Sequence, residues 1–392
     1  MSNAIRFIHT GDLHLGSTAK SIPADPEGST SVLDALYVTL EQIIDDAIAR
    51  EVDFVIFAGD IFDNAKTMPF AQIRFDAQME RLREAGIHAY LVYGNHDPFT
   101  EHPVPHRYPD NVHEFDFRAV EAKHHQGRRG TAKIYGRSYG YRAQPENLVR
   151  AFKRDPQAVN AIGILHTGME SAADAQYAPC TKADLAAANM DYWALGHFHK
   201  GGQVSEKPAI YYCSSPQALD IGEQGSHGYW YTELVDGHVL RQEWVESGVL
   251  DFATASVDVT LVTSVKELFD RVVQAIDSAV EQRAKNTVLR IEFTGERVLD
   301  ERVWNELLTG ALEEHIRARL VALSAHHRIK LWLDPKIIDN TILAIDIDHA
   351  VKQHEFIAKL VEIADDVDAE PLIKEDALRM LIRVLLEQER VL

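Results

Sequence analysis

Five short polar segments punctuate the first half of this chain, each directly behind a run of β-branched or aromatic residues. They are Gly11-Asp12-Leu13-His14-Leu15-Gly16, Gly59-Asp60-Ile61-Phe62-Asp63, Gly94-Asn95-His96-Asp97, Leu165-His166-Thr167-Gly168 and Gly196-His197-Phe198-His199. The runs at residues 5–8, 54–57, 89–92, 161–165 and 192–195 predict strands, with further strands at 210–212 and in a hairpin of 229–234 with 239–244. The hairpin's Asp236-Gly237 turn suits type I′ geometry. Helical periodicity lies between the strands, most clearly over residues 32–49, where Val32, Leu36, Leu40, Ile43 and Ala47 recur at three- and four-residue steps. Strands alternating with helices bury their apolar faces as an α/β layered domain. In open sheets of that class, ligands collect beyond the carboxyl ends of the strands, where these polar segments stand.

The pattern changes after residue 248. Strand, helix, strand, helix and strand are predicted at 257–262, 265–283, 288–293, 301–322 and 329–333, and Asp334-Pro335 ends the run because the residue before proline avoids helical geometry. Two amphipathic helix patterns follow, at 349–363 and 371–389, separated by the acidic link Asp365-Asp366-Val367-Asp368. The second carries a broad apolar stripe of Leu372, Ile373, Leu378, Leu381, Ile382, Leu385 and Leu386 that docks either on its own domain or on a partner protein. The expected organisation is therefore a domain at 1–248, a small α+β unit at 249–335 and a helical pair at 336–392. Two isolated cysteines, Cys180 and Cys213, make no disulfide framework and read as free thiols. Neither a secretory pattern at residues 1–16 nor an apolar run of about 18 residues is present, so a cytoplasmic protein without a membrane span is expected.

Any one polar segment says little in a chain with 19 histidines. Together they offer carboxylate oxygen from Asp12 and Asp60, amide oxygen from Asn95, and nitrogen from His14, His166, His197 and His199, a set suited to borderline divalent ions such as Mn²⁺, Fe²⁺ or Zn²⁺. The lack of a thiolate argues against a structural zinc site. Seven donors exceed the needs of one ion and suit two that share a carboxylate, an arrangement that clamps a phosphate during in-line displacement. Phosphoester hydrolysis is the chemistry that follows.

In order and in kind, these segments resemble the five motifs of the calcineurin-like metallophosphoesterases. The forms Asp12-Leu13-His14-Leu15-Gly16, Gly59-Asp60-Ile61-Phe62-Asp63, Gly94-Asn95-His96-Asp97-Pro98 and residues 192–199 look more narrowly like the SbcD-type DNA repair exonucleases, over residues 4–245. The resemblance implies a two-sheet sandwich flanked by helices, with the small α+β unit as a cap over a DNA cleft and the helical pair bound to an SMC-like coiled-coil ATPase subunit. It also suggests a homodimer. By resemblance, Asp12, His14, Asp60 and His199 hold one ion. Asp60 bridges to a second, completed by Asn95, His166 and His197, and Mn²⁺ is the expected metal. His96 then faces the scissile phosphate, and Asp97 either orients its ring or caps a turn. Asp63 is expected to cap a loop, His9 to pack, and His102 and His106 to lie in a solvated loop. Ser214 stands where the family's Gly-Ser-Pro loop has glycine, which puts that loop's backbone in question.

The formal charge of −20 speaks against a polyanionic partner until it is read along the chain. Between Arg118 and Arg154 stand ten Lys/Arg and two Glu, a local +8 that leaves −28 on everything else. Arg128, Arg129, Lys133 and Arg137 in this segment are the expected DNA contacts; the alternative is a solvated face. Two other functions compete with a DNA exonuclease: a phosphoesterase acting on small nucleotides or phosphoproteins, and a scaffold that keeps the fold without turnover.

Overall fold

Strands with apolar residues at every position need cover on both faces, and the computed structural model supplies it. The structure describes residues 3–17, 32–102, 106–169, 174–281, 283–299, 301–308, 310–343 and 355–365, together with Leu381. In the first sheet β1 (Ala4–Thr10), β2 (Phe54–Ala58), β3 (His88–Val92) and β4 (Val112–Glu114) run parallel. In the second, β5 (Glu121–Gln126), β6 (Thr131–Gly136), β7 (Ala161–His166), β8 (Tyr192–Gly196), β9 (Gly202–Ser205) and β10 (Ala209–Tyr212) follow the order β5-β6-β7-β8-β10-β9, with antiparallel strands only at its edges. The hairpin β11 (Gly228–Val235) and β12 (His238–Glu246) completes the first sheet by pairing β11 antiparallel to β1. Its turn has φ of 49° at Asp236 and 79° at Gly237, the positive pair that type I′ demands.

Phe7, Phe54, Ile56, Tyr90, Ile134, Ile162, Ile164 and Tyr192 fill the space between the two sheets. The helices α1 (Val32–Ala49) and α2 (Met68–Glu84) cover the outer face of the first sheet through Leu36, Leu40, Ile43, Phe75, Met79 and Leu82. Leu148, Val149, Phe152, Trp193 and Leu185, the last from α3 (Lys182–Ala187), cover the second. Both faces of β2, β7 and β8 are thus buried, which is why these strands read as continuous apolar runs. Every strand predicted up to residue 244 is present. Four further strands were not expected: the short β4 and β9, and β5 and β6 in the basic segment, where Glu121, Lys123 and His125 occupy the more buried positions of β5.

The chain divides into two compact units, one of Met1–Thr254 with Ala279–Arg290 and Leu320–Lys336, the other of Ala255–Ser278, Ile291–Arg319 and Ile337–Leu392. The remaining elements are β13 (Leu250–Asp258), α4 (Val265–Val280), β14 (Asn286–Thr294), β15 (Glu296–Arg297), α5 (Glu301–Leu308), α6 (Ala311–His327), β16 (Leu331–Leu333), β17 (Ile338–Asp339), β18 (Ile342–Leu343) and α7 (Glu355–Asp365). In the first unit β14 pairs parallel with β16; in the second, its last residues pair with β17, and β15 pairs with β18. The helix expected at 301–322 is two, α5 and α6, with Gly310 between them. The predicted helix at 371–389 lies outside the described residues apart from Leu381. Among the described residues no helix is long and apolar enough to cross a membrane.

Candidate metal centre

Three of the five segments leave their strands through left-handed backbone. Asp12, His14, Asp60 and His197 have φ of 48°, 46°, 49° and 113°, a left-handed region that costs non-glycine residues about 1–3 kcal/mol each. Surrounding hydrogen bonds hold these turns: Asp12 N–H to Gly59 O at 2.9 Å, His14 N–H to Asp60 O at 3.0 Å, and His197 N–H to Asp12 Oδ2 at 3.0 Å. Glycines make room beneath the ligands. A Cβ on Gly59 would lie 2.5 Å from His166 Nδ1, and one on Gly94 would lie 2.3 Å from Asp60 Oδ1.

The predicted ligands converge from both sheets. His166 Nε2 lies 3.0 Å from Asn95 Oδ1 and 3.3 Å from Asp60 Oδ2, while His14 Nε2 lies 3.1 Å from His199 Nε2 and 3.9 Å from Asp60 Oδ2. Donor atoms of Asp12, His14 and His199 cluster within 4.8 Å of one another, as do those of Asp12, Asp60 and His166, and of His14, Asp60 and His96. The His197 ring stands 5.2 Å from that of His166.

The donor chemistry fits cations. Ligands at right angles around an ion with bonds of ~2.1 Å are about 3 Å apart, matching the closest pairs here. His166 Nδ1 donates to Ala58 O at 3.1 Å and His199 Nδ1 donates to Glu223, so both rings present Nε2 to the centre. On His197 it is Nε2 that meets Asp174 Oδ1, at 3.4 Å, leaving Nδ1 as the remaining ring nitrogen. Electrostatics agree. Burial opposes charge on His166, but Asp60 and then Asp12 outweigh it and lift its pKa to about 9. Against the same burial, Glu223 and Asp12 lift His199 to about 9. Burial works to raise Asp60, yet His166 and His14 hold it well below the carboxylate range. This is a pocket that draws positive charge.

His96 sits at the edge of this cluster, its ring 4.6 Å from that of His14 and its side chain 41% exposed. Its Nδ1 donates to Asp63 O at 3.1 Å and stands 3.8 Å from the Asp63 carboxylate, which is also 3.5 Å from His14 Nδ1. Asp63 therefore orients both imidazoles. Of the two roles expected of Asp97, orienting the His96 ring or capping a turn, the structure shows the second: its buried carboxylate accepts N–H bonds from Ile61 at 2.7 Å, Phe62 at 3.1 Å and Gly94 at 2.8 Å, joining the second and third segments. Burial and the Asp60 charge raise its pKa to about 7.

Ser214 adopts φ of 103°, so the loop keeps the glycine geometry despite its side chain, whose hydroxyl donates to His199 O at 2.7 Å. His9 is buried between Tyr192 OH and Leu195 O, at 3.1 and 3.2 Å, a packing role. His102 is not solvated: its Nε2 donates to Asp97 O at 3.1 Å and its ring packs on Tyr93. His106 pairs with Asp76 at 3.0 Å. The outer carboxylates Glu223 and Asp174 lie outside the five segments, and nothing local in the sequence marks them.

The four basic residues expected to meet DNA are split between the two ends of the second sheet. Arg128 N–H meets Asp53 Oδ1 at 3.1 Å and its guanidinium meets Ala85 O at 3.3 Å; Arg129 lies 3.7 Å from Glu51, and Lys133 pairs with Asp155 at 2.6 Å. Arg128 and Arg129 stand just before β6, a strand of six residues or ~20 Å, and Lys133 is its third residue, whereas the predicted ligands stand at or beyond the finish of its parallel neighbours. Arg137 follows β6 at the ligand end, donates to Phe117 O at 2.9 Å and lies 3.7 Å from Glu146. Arg142, half exposed, pairs there with Glu101.

Comparison with known proteins agrees with this geometry. Residues 5–201 match the family described as Calcineurin-like phosphoesterase, and residues 252–339 match Metallophosphoesterase YhaO, middle domain. The chain is 36% identical over 300 residues to the uncharacterized metallophosphoesterase YhaO of Bacillus subtilis (strain 168), covering 75% of this chain and 73% of that protein. More distant relatives are the DNA double-strand break repair protein Mre11 of Sulfurisphaera tokodaii, 29% identical over 51% of this chain and 52% of that protein, and a subunit of the nuclease SbcCD of Escherichia coli (strain K12), 23% identical over 57% and 64%. With five segments converging on one acidic, imidazole-lined centre and half the chain matching the family, this protein belongs to the calcineurin-like phosphoesterases.

Proposed function

We propose that the chain is a two-metal phosphodiesterase that hydrolyses DNA phosphodiester bonds as an exonuclease in repair, in the cytoplasm and together with an SMC-like ATPase subunit. The observation that carries the reading is the clustering of Asp12, His14, Asp60, His166 and His199, with Asn95 and His197 beside His166 and a more exposed imidazole, His96, at the edge. Asp12, His14, Asp60 and His199 would hold one divalent ion, and Asp60, Asn95, His166 and His197 the other, with Mn²⁺ as the proposed metal. When bound, the pair supplies the Lewis acidity that neutralises a phosphate diester and activates water. The chain's own residues do the rest. The Asp63 carbonyl accepts the Nδ1–H of His96, so the opposite ring nitrogen faces outward and, as imidazolium, delivers a proton to the leaving 3′-oxygen. Arg137 and Arg142 stand at the same end and supply phosphate contacts. DNA as substrate is supported by the relatives named for break repair and nuclease activity. The acidic total supports a partner that contributes DNA affinity, and Phe356 and Ile363 of α7, 60% and 62% exposed, offer apolar surface to one.

A second reading keeps the centre but gives it a small nucleotide or a phosphoprotein, and the distance of Arg128, Arg129 and Lys133 from the proposed ligands favours it. Nuclease assays on duplex ends with Mn²⁺, with and without a coiled-coil ATPase, decide. Release of nucleotides is expected. Hydrolysis of bis-p-nitrophenyl phosphate with no nucleotide release at any salt concentration would leave the second reading in place.

A further inference from the structure

The two imidazoles that present Nε2 to the centre are backed differently. Behind His166 stands a neutral main-chain carbonyl, Ala58 O. Behind His199 stands a carboxylate, Glu223, whose side chain is 18% exposed and held from several sides. Its Oε2 accepts the Leu219 N–H at 2.9 Å and the Ser215 hydroxyl at 3.3 Å, and its main-chain oxygen meets His227 Nε2 at 2.8 Å. His199 is fixed from its backbone as well, since its carbonyl accepts the Ser214 hydroxyl at 2.7 Å and the Ser215 N–H at 3.2 Å. The ring therefore has one hydrogen-bonded tautomer and one orientation, with Nε2 directed at His14 and Asp12.

We propose that Glu223 is a positioning residue for His199, and that it sets the cation affinity of the pocket formed by Asp12, His14, Asp60 and His199 while leaving that of the Asp60, Asn95, His166 and His197 pocket unchanged. An anionic acceptor on Nδ1 makes the opposite nitrogen a stronger donor to a cation and freezes the ring in its binding pose. A main-chain carbonyl does the second but adds no charge. Losing such a carboxylate lowers metal affinity by about 10–100-fold. The inference rests on these clusters holding divalent ions, and it is independent of which phosphoester is cleaved.

The test uses the full chain, stripped with chelator and titrated with Mn²⁺ by calorimetry, with electron paramagnetic resonance reporting whether ions sit singly or as a coupled pair. Wild type is expected to take up two ions. Glu223→Gln keeps an oxygen for the Leu219 N–H but removes the charge; it should weaken one ion by about 10–100-fold, leave the other within about two-fold, and replace the coupled signal by a mononuclear one at low Mn²⁺. Ser215→Ala, which loosens the same loop without touching the carboxylate's bond to His199, should leave both ions within about three-fold. The proposal fails if Glu223→Gln and Glu223→Ala bind both ions as wild type does. It also fails if Glu223→Gln loses both ions together with its metal-free thermal stability, which would make the role merely structural. Wild-type protein that takes up no Mn²⁺ overturns the metal reading itself, a result distinguishable from either.

Discussion

Histidines crowd both ends of the two central sheets, and the two ends surround them with different charge. At the ligand end, His166 and His199 face Asp12, Asp60 and Glu223, and their pKa values rise to about 9 although burial works against the charge. Toward the other end, His88 Nδ1 and His113 Nε2 meet at 2.9 Å, Tyr90 OH meets His125 Nδ1 at 3.0 Å, and the rings stack on one another. There burial, followed by the neighbouring His88, drives His113 down to about 4 and His125 to about 3. The residue type is the same and the outcome is set by the balance of burial against neighbouring charge; at the ligand end itself, burial and then the charge of His166 outweigh Asp12 and Asp60 at His197 and lower it. One end is built to hold cations; the other is an aromatic patch in which imidazole is a neutral packing element.

The largest effects should come from breaking the ligand end. Asp60→Ala removes the carboxylate shared by two of the donor clusters and should abolish Mn²⁺-dependent hydrolysis of bis-p-nitrophenyl phosphate, by roughly 10³-fold or more, along with metal uptake. His96→Ala should cost about 10²–10⁴-fold in turnover yet retain two Mn²⁺ by calorimetry. Loss of an ion instead would promote His96 from acid to ligand, a role that its proximity to His14 and Asp60 allows.

Acid should expose the opposite end. A histidine whose folded pKa lies below its unfolded value binds more protons when unfolded, so its contribution to stability is complete above pH 6.5 and is lost as pH falls toward the folded value. For His113 that window runs from 6.5 down to about 4. Urea unfolding of chelator-treated protein should therefore lose on the order of 1 kcal/mol across it, because solvent screens the charge on this half-buried ring. Replacing His113 and His125 by Gln should flatten that slope, and an unchanged slope would place the acid sensitivity elsewhere.

A smaller effect separates the basic residues. Arg142→Ala, at the ligand end, should weaken duplex binding a few-fold and lower the salt dependence by about one counterion, while joint replacement of Arg128, Arg129 and Lys133 by Ala should change neither in filter-binding titrations across salt. Equal effects from both would put the nucleic-acid path along the whole sheet. The smallest effect belongs to Ser214→Gly: relief of the left-handed backbone and loss of the bond to His199 O nearly offset each other, so stability should move by less than about 1 kcal/mol.

Much of this was legible in the sequence. Strands such as β2 and β7 carry unbroken apolar runs because they are covered on both faces, and the polar residues that follow them are conspicuous against that background. The strands β5 and β6 were not legible, because the inward positions of β5 are Glu121, Lys123 and His125 and those of β6 stand beside Lys133, so no plain apolar alternation shows. For Asp97 the sequence left open whether it orients His96 or caps a turn, and only the fold directs its side chain onto three backbone N–H groups.

By itself the sequence determined the donor set and its order, since local apolar runs dictate where strands end and what chemistry is exposed there. Only the tertiary structure decided which acids stand behind which imidazoles, because Asp63, Asp174 and Glu223 reach His14, His197 and His199 across 49, 23 and 24 residues, through loops whose path is set by packing rather than by local preference. It also decided the fate of the basic segment. A strand that starts at one end of a sheet and finishes at the other carries neighbouring charges to opposite ends of the molecule, and no count along the chain reveals a direction in space.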